Sequence, residues 1–296
     1  MTAFVPQSDK RPTVRLRPKA NARAIRHGFP WIYANELVTD RRTKALAPGA
    51  LARLEDDARK PLGVVAVNGH SKIIARMLDR NPDVEIDQAW FEHRIARALA
   101  LRALMFEAPF YRLVHAEADG LPGVIIDRFG DTCVIQPNAA WADTLMDPLC
   151  EALRSVTGVA NVIKNASGRA RGLEGLDDVN AVVFGHAPDA PIPVPMNGAT
   201  YMADLTSGQK TGLFFDQRPN HAFAAHLARG ARVLDVFSHV GGFSLAALAG
   251  GAASALAVDG SGAALDLTRR GAESMGLERA LSTRKGDAFD VLTALK

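Results

Sequence analysis

From residue 219 onward the chain alternates helical stretches with short apolar runs. "PNHAFAAHLA" carries Pro219 in the first turn of a helix that Gly230 closes, and "RVLDVF" (232–237) is an apolar strand. "SHVGGFSLAALAGGA" turns on Gly241-Gly242 into a second helix, "ASALAVD" is the next strand, and "SGAALDLTRRGAESMG" is a third helix. "ALSTRKGDAF" supplies a third strand ending at Asp287. Such a β-α-β-α-β succession demands a parallel sheet covered by helices, a doubly wound, Rossmann-like domain whose ligand crevice lies at the carboxyl ends of the strands. No other pattern in the chain restricts the fold as tightly.

Those strand ends carry a chemistry. Glycines at 241 and 242 let backbone N–H groups approach a ligand, and the helix that follows points its positive dipole there. Asp259 closes the second strand where a carboxylate accepts from a ribose diol, and Asp287, closing the third, suits an adenine amino group. "DVFSHVGG" lacks the G-x-G-x-x-G spacing of a dinucleotide turn, so the expected cofactor is S-adenosylmethionine. Upstream, "GQKTGLFFDQRPN" (208–220) crowds polar groups beside two phenylalanines. Lys210 follows Gln209 rather than glycine, which excludes a phosphate loop and leaves a ligand wall.

The N-terminal part is different in charge. Residues 1–80 hold 16 Lys and Arg against 7 Asp and Glu, whereas the remainder holds 19 against 25, so the overall +3 hides a basic module on an acidic body. Such a module attracts polyanions. Short runs between turn residues make residues 12–80 a small β-barrel domain, and basic residues alternating with apolar ones before Phe29, Trp31 and Tyr33 suit RNA. Arg15, Arg17, Lys19, Arg23 and Arg26 are the expected RNA contacts, with Trp31 as the stacking ring. A long amphipathic helix after "NPD" opens a linking α+β domain (81–190), and Asn197-Gly198 marks a hairpin at the start of the cofactor domain (191–296). Cys133 and Cys150 lie in strand and helix patterns that suit core packing, and two cysteines are too few for a disulfide framework or a structural zinc site. No apolar run is long enough to span a membrane and no secretory signal opens the chain, so a cytoplasmic protein is expected.

"NGATYMADLTSGQKTGLFFDQRPN", "VLDVFSHVGGFSLAALAGGA", "AVDGS" and "KGDAFDVL" resemble successive motifs of the bacterial class I methyltransferases that make 5-methylcytosine in 23S ribosomal RNA, proteins with an N-terminal PUA domain, a linking α+β domain and a methyltransferase domain. "LPGVIIDRFGD" and "RARGLEGL" extend the likeness over nearly the whole chain. The resemblance implies a cofactor network of Lys210, Thr211, Phe214, Asp216, Gln217, Arg218, Asp235, Phe237, Ser238, Gly241, Gly242, Phe243, Asp259, Ser261 and Asp287. It implies 23S ribosomal RNA as partner and leaves a homodimer open. His239-Val240 stand where the family more often has Tyr-Thr.

One element of that family is missing from these residues. Methylation at cytosine C5 needs a thiolate that adds at C6 and a base that removes the C5 proton. The family's acidic-Pro-Pro motif and nucleophilic cysteine lie beyond the third strand, and no cysteine follows Cys150. No catalytic residue is therefore assigned, and the expectation is that the sequence is the N-terminal three-quarters of such an enzyme. A non-catalytic RNA-binding protein with a residual cofactor pocket and a guanine-N methyltransferase are the alternatives.

Overall fold

The structure is a computed structural model that describes residues 11–206 and 212–295. It forms two compact units: one runs to Glu107 and takes up again over Leu113–Gly185, the other comprises Ala108–Arg112 and the residues from His186 onward.

The first unit opens with β1 (Thr13–Arg15), α1 (Ala22–Arg26), β2 (Trp31–Ile32), α2 (Arg41–Lys44), β3 (Ala50–Glu55), β4 (Pro61–Val67) and β5 (Ala75–Asp79). The strands form one sheet in the order β1-β3-β4-β5-β2, parallel between β1 and β3 and antiparallel elsewhere. Their alternating apolar residues make one core of Val14, Leu16, Ile32, Leu54, Val65 and their neighbours. Gly63, at φ +145°, lets β4 pass the edge of β5, because a Cβ there would meet the Asp79 carbonyl oxygen at 2.1 Å.

The chain continues with α3 (Gln88–Met105), β6 (Phe110–His115), whose first three residues belong to the other unit, β7 (Val124–Phe129), β8 (Thr132–Pro137), α4 (Ala140–Thr144), α5 (Met146–Thr157), β9 (Asn161–Lys164), α6 (Arg169–Leu173) and β10 (Ala181–Phe184). Asp87 caps α3 by accepting the Trp90 N–H, and the helix buries Trp90, Phe91, Ile95 and Ala98. Phe91 stacks on Trp141 with ring centroids 5.9 Å apart. The strands lie in the order β10-β9-β8-β7-β6. The "RARGLEGL" motif turns out to be structural. Arg171 is fully buried, donates to the Pro137 and Asp177 carbonyls and pairs with Asp143 at 2.7 Å. Glu174, also buried, pairs with Arg76 and accepts from Asn68, tying this region to the first sheet.

The second unit contains β11 (Ile192–Met196), β12 (Ala199–Ala203), α7 (Arg218–Leu227), β13 (Arg232–Val236), α8 (Gly242–Ala249), β14 (Ser254–Asp259), α9 (Gly262–Ser274), β15 (Leu281–Lys285) and α10 (Ala288–Ala294). β11 and β12 pair across Asn197-Gly198, both left-handed at φ 55° and 74°, as a two-residue hairpin requires. The expected parallel sheet is present in the order β13-β14-β15.

Candidate cofactor site

The turn between β13 and α8 is built under strain. Phe237, His239 and Gly241 are all left-handed, at φ 61°, 50° and 80°, and two of them are not glycine. Two carboxylates hold the turn in place. Asp235, buried at the end of β13, accepts from the Ser244 N–H at 2.9 Å and its hydroxyl at 2.8 Å. Burial pushes its carboxyl above the ordinary value, against the pull of these bonds. Asp259, at the end of β14, accepts the His239 N–H on one oxygen and the Ser261 N–H on the other, both at 2.8 Å. Each oxygen keeps a further lone pair for a ligand.

Beside this turn lies a cavity of about 360 Å³. Phe214, Phe237, Val240 and Leu267 supply apolar wall, while Asp204, Asp259 and Ser261 supply polar edge. Phe214 meets the His239 ring edge to face at 4.9 Å. Ser238 sits beneath the turn, and its buried hydroxyl has no hydrogen-bond partner among the described residues.

Of the cofactor residues expected from sequence, Phe214, Phe237, Asp259 and Ser261 line this cavity. Lys210 and Thr211 lie outside the described residues. Ser238 lies outside the lining with its hydroxyl unpartnered among the described residues, and the others engage the protein itself. Asp235 braces the turn as above, and Asp287 is exposed and caps α10 by accepting the Phe289 and Asp290 N–H groups. Arg218 donates to the Phe110 carbonyl at 3.1 Å, and Asp216 and Gln217 engage one another and Asn220. Gly241 and Gly242 do not line the cavity, and packing requires both as glycine: a Cβ on the first would meet Thr268 Cγ2 at 2.4 Å, on the second His221 Nε2 at 2.5 Å. Phe243 packs edge to face on His221 at 4.6 Å. Sequence reading passed over Asp204 as a ligand group, and also Ala263, Ala264 and Leu267, which the first turns of α9 bring to the wall. Their positions just after Asp259 were a usable signal, since helix residues three and four apart share a face.

His221 is buried in α7 between Tyr201 and Phe243, and burial pushes its imidazole down to about 4, so it is neutral at pH 7. The two cysteines are buried as expected. Their thiols are pushed up to about 12 for Cys133 and about 11 for Cys150, chiefly by burial, which suits packing rather than nucleophilic attack.

The expected RNA residues divide in the same way. Arg26 pairs with Asp56, the Arg17 guanidinium donates to the Leu37 carbonyl at 2.8 Å, and the Trp31 indole N–H donates to Glu117 at 2.7 Å. Arg15, Lys19 and Arg23 have no side-chain partner among the described residues, and Lys19 and Arg23 are exposed.

Residues 14–80 match the family model of a PUA-like domain, and residues 182–281 that of an S-adenosylmethionine-dependent methyltransferase. Over 285 residues, 95% of this chain and 72% of the relative, the sequence is 33% identical to ribosomal RNA large subunit methyltransferase I of Erwinia tasmaniensis. The chain belongs to the ribosomal RNA large subunit methyltransferase I family. Members from Alteromonas mediterranea and Escherichia coli are 36% and 30% identical over 86% and 93% of this chain. The chain spans 64% of the Alteromonas member's length and 73% of the Escherichia member's. A solved structure described as a SAM-dependent methyltransferase from Streptococcus mutans superposes with a TM-score of 0.81 at 21% identity, covering 96% of this chain and 73% of that one. That likeness supports the fold, and a second structure with a TM-score of 0.80 is a complex with SAH. S-adenosylmethionine is the cofactor of the methyltransferase family matched here.

Proposed function

We propose that the second unit binds S-adenosylmethionine in the cavity at the ends of β13 and β14, and that the protein uses it to methylate a base of 23S ribosomal RNA, at cytosine C5. The observation that carries this reading is the pairing of an apolar-walled cavity with the Asp259 carboxylate beside a strained turn at a helix N-terminus. The residues fit the group. Asp259 would accept from the ribose hydroxyls, Phe214, Phe237 and Leu267 would enclose the adenine, and Asp204 would face the positively charged end of the cofactor. When bound, the cofactor supplies an electrophilic sulfonium methyl group. The chain's contribution is to orient that group and keep water from it.

The expected division into a PUA-like domain (12–80), a linking domain (81–190) and a cofactor domain (191–296) belongs to this reading, as does a cytoplasmic location. Neither Cys133 nor Cys150 is placed to attack cytosine C6, because both thiols are buried and held protonated. The test has two parts. Calorimetric titration of the 296-residue protein with S-adenosylmethionine should show one saturable site, and absence of binding would remove the cofactor reading. Methyl transfer from labelled cofactor to unmodified 23S ribosomal RNA, assayed with a chain that also carries the family's nucleophilic cysteine and followed by nucleoside analysis, should give 5-methylcytosine. A methylated guanine would replace the base assignment, and cofactor binding without transfer would make RNA binding the activity of these residues.

A further inference from the structure

Most arginines of the N-terminal unit that approach a carboxylate are neutralised. Arg11 pairs with Glu85, Arg26 with Asp56, Arg53 with Asp83, Arg76 with Glu174, Arg94 with Asp79 and Arg102 with Asp119. Against that background one place stands out. A cleft of about 330 Å³ beside β1 is lined by Arg15, Arg42 and Arg59 together with Asp40 and Glu55. None of the three arginines has an ion pair or side-chain hydrogen bond among the described residues, although Arg42 lies close enough to Asp40 to act on its carboxylate through space.

The two carboxylates are not equivalent. Asp40 is committed, since it accepts the Thr43 N–H at 2.9 Å and caps α2. Glu55 has no side-chain partner among the described residues. Arg59 is presented deliberately. It sits at φ 63° in a turn that buried Asp56 holds by accepting the Ala58 and Lys60 N–H groups at 2.9 and 2.8 Å. A non-glycine residue persists in that conformation only where its surroundings impose it.

We propose that this cleft binds one nucleotide of single-stranded RNA, with Arg15, Arg42 and Arg59 on the phosphodiester and Glu55 on an exocyclic amino group of the base. The inference deepens the RNA-binding reading above and rests on it. Three unpaired guanidinium groups select a phosphate, which they engage through paired N–H donors. The volume exceeds what a bare phosphate needs and lies at the lower end for small-molecule sites, about 300 Å³. A free carboxylate among the arginines repels a ligand that is only anionic, so the ligand must bring a donor beside its phosphate, as cytosine, adenine and guanine do.

The test is fluorescence anisotropy of labelled oligocytidylate and oligouridylate on the 296-residue protein across a salt series, with calorimetric cofactor titration and urea unfolding run on every variant. Arg42→Ala with Arg59→Ala should weaken oligocytidylate binding at least about tenfold at low salt and flatten the log–log salt slope by about 0.7 for each phosphate no longer neutralised. Glu55→Gln should reduce the preference for cytidylate over uridylate about tenfold while leaving the salt slope unchanged. Arg229→Ala with Arg279→Ala removes the same charge from the other unit and should change neither. If the cleft variant, folded as judged by urea, matches that control in affinity and slope, the proposal is overturned. It is equally overturned if the protein binds an acidic peptide but no RNA. Loss of cofactor binding with the cleft effects intact would sink the methyltransferase reading and leave the cleft assigned.

Discussion

Two cavities of this protein are opposites. The one in the C-terminal unit is walled by aromatic and aliphatic side chains and edged by Asp204 and Asp259, with no arginine or lysine among the described residues of its lining. The one in the N-terminal unit is polar and carries three arginines. A ligand with a flat apolar ring, a diol and a positive centre suits the first, and a phosphodiester suits the second. Under the proposed function, such separation would let one chain handle a cationic cofactor and a polyanionic substrate, each charge type being collected in its own unit.

The severest challenge to this contrast should come from Gly241→Ala. It forces a side chain onto a left-handed residue and against Thr268, and should cost the C-terminal unit about 3 kcal/mol. Hydrogen exchange should then show α8 and β13 opening while β3 and β4 keep their protection. Equal loosening of both regions would mean that the units do not behave separately.

Next in size, Asp259→Ala should weaken S-adenosylmethionine on the order of 100-fold by calorimetry, since hydrogen bonds to a charged acceptor contribute about 1.5–3 kcal/mol each. RNA affinity should not change. A parallel loss of RNA binding would dissolve the contrast between the sites.

His221 provides a pH lever on one unit only. Its folded value, about 4, lies below the unfolded value of about 6.5, so the unfolded chain binds the extra proton between these limits. Its contribution is complete above about pH 6.5 and is lost as pH falls toward 4, by up to about 3 kcal/mol. Urea unfolding of the C-terminal unit should therefore weaken over that window, and His221→Gln should flatten the trend. An unaltered pH profile in the variant would show that other groups govern it.

The smallest effect should come from Lys19→Glu with Arg23→Glu. Both residues are exposed outside the cleft, so reversing them should weaken oligonucleotide binding about fivefold and reduce its salt dependence through the general field alone. A larger loss than that of the Arg42 and Arg59 variant would move the RNA site toward α1.

Much of this architecture is legible in the chain itself. The alternating period and the turn residues determine the parallel three-stranded sheet, because periodicity and turn chemistry are properties of neighbouring residues. Asn197-Gly198 specifies its hairpin for the same reason, and the basic excess of residues 1–80 is a matter of counting. Which polar groups remain free was settled by packing in three dimensions. Asp235, Asp259 and Asp287 read alike at strand ends, yet the first is consumed by Ser244, the last by its own helix cap, and of the three Asp259 alone faces the cavity. Arg26 and Arg15 read alike in the basic stretch, yet Asp56, thirty residues away, neutralises one and leaves the other in the cleft. A hydrogen bond or ion pair is made by whichever partner the fold brings within about 3 Å, and that partner is set by packing, not by position along the chain.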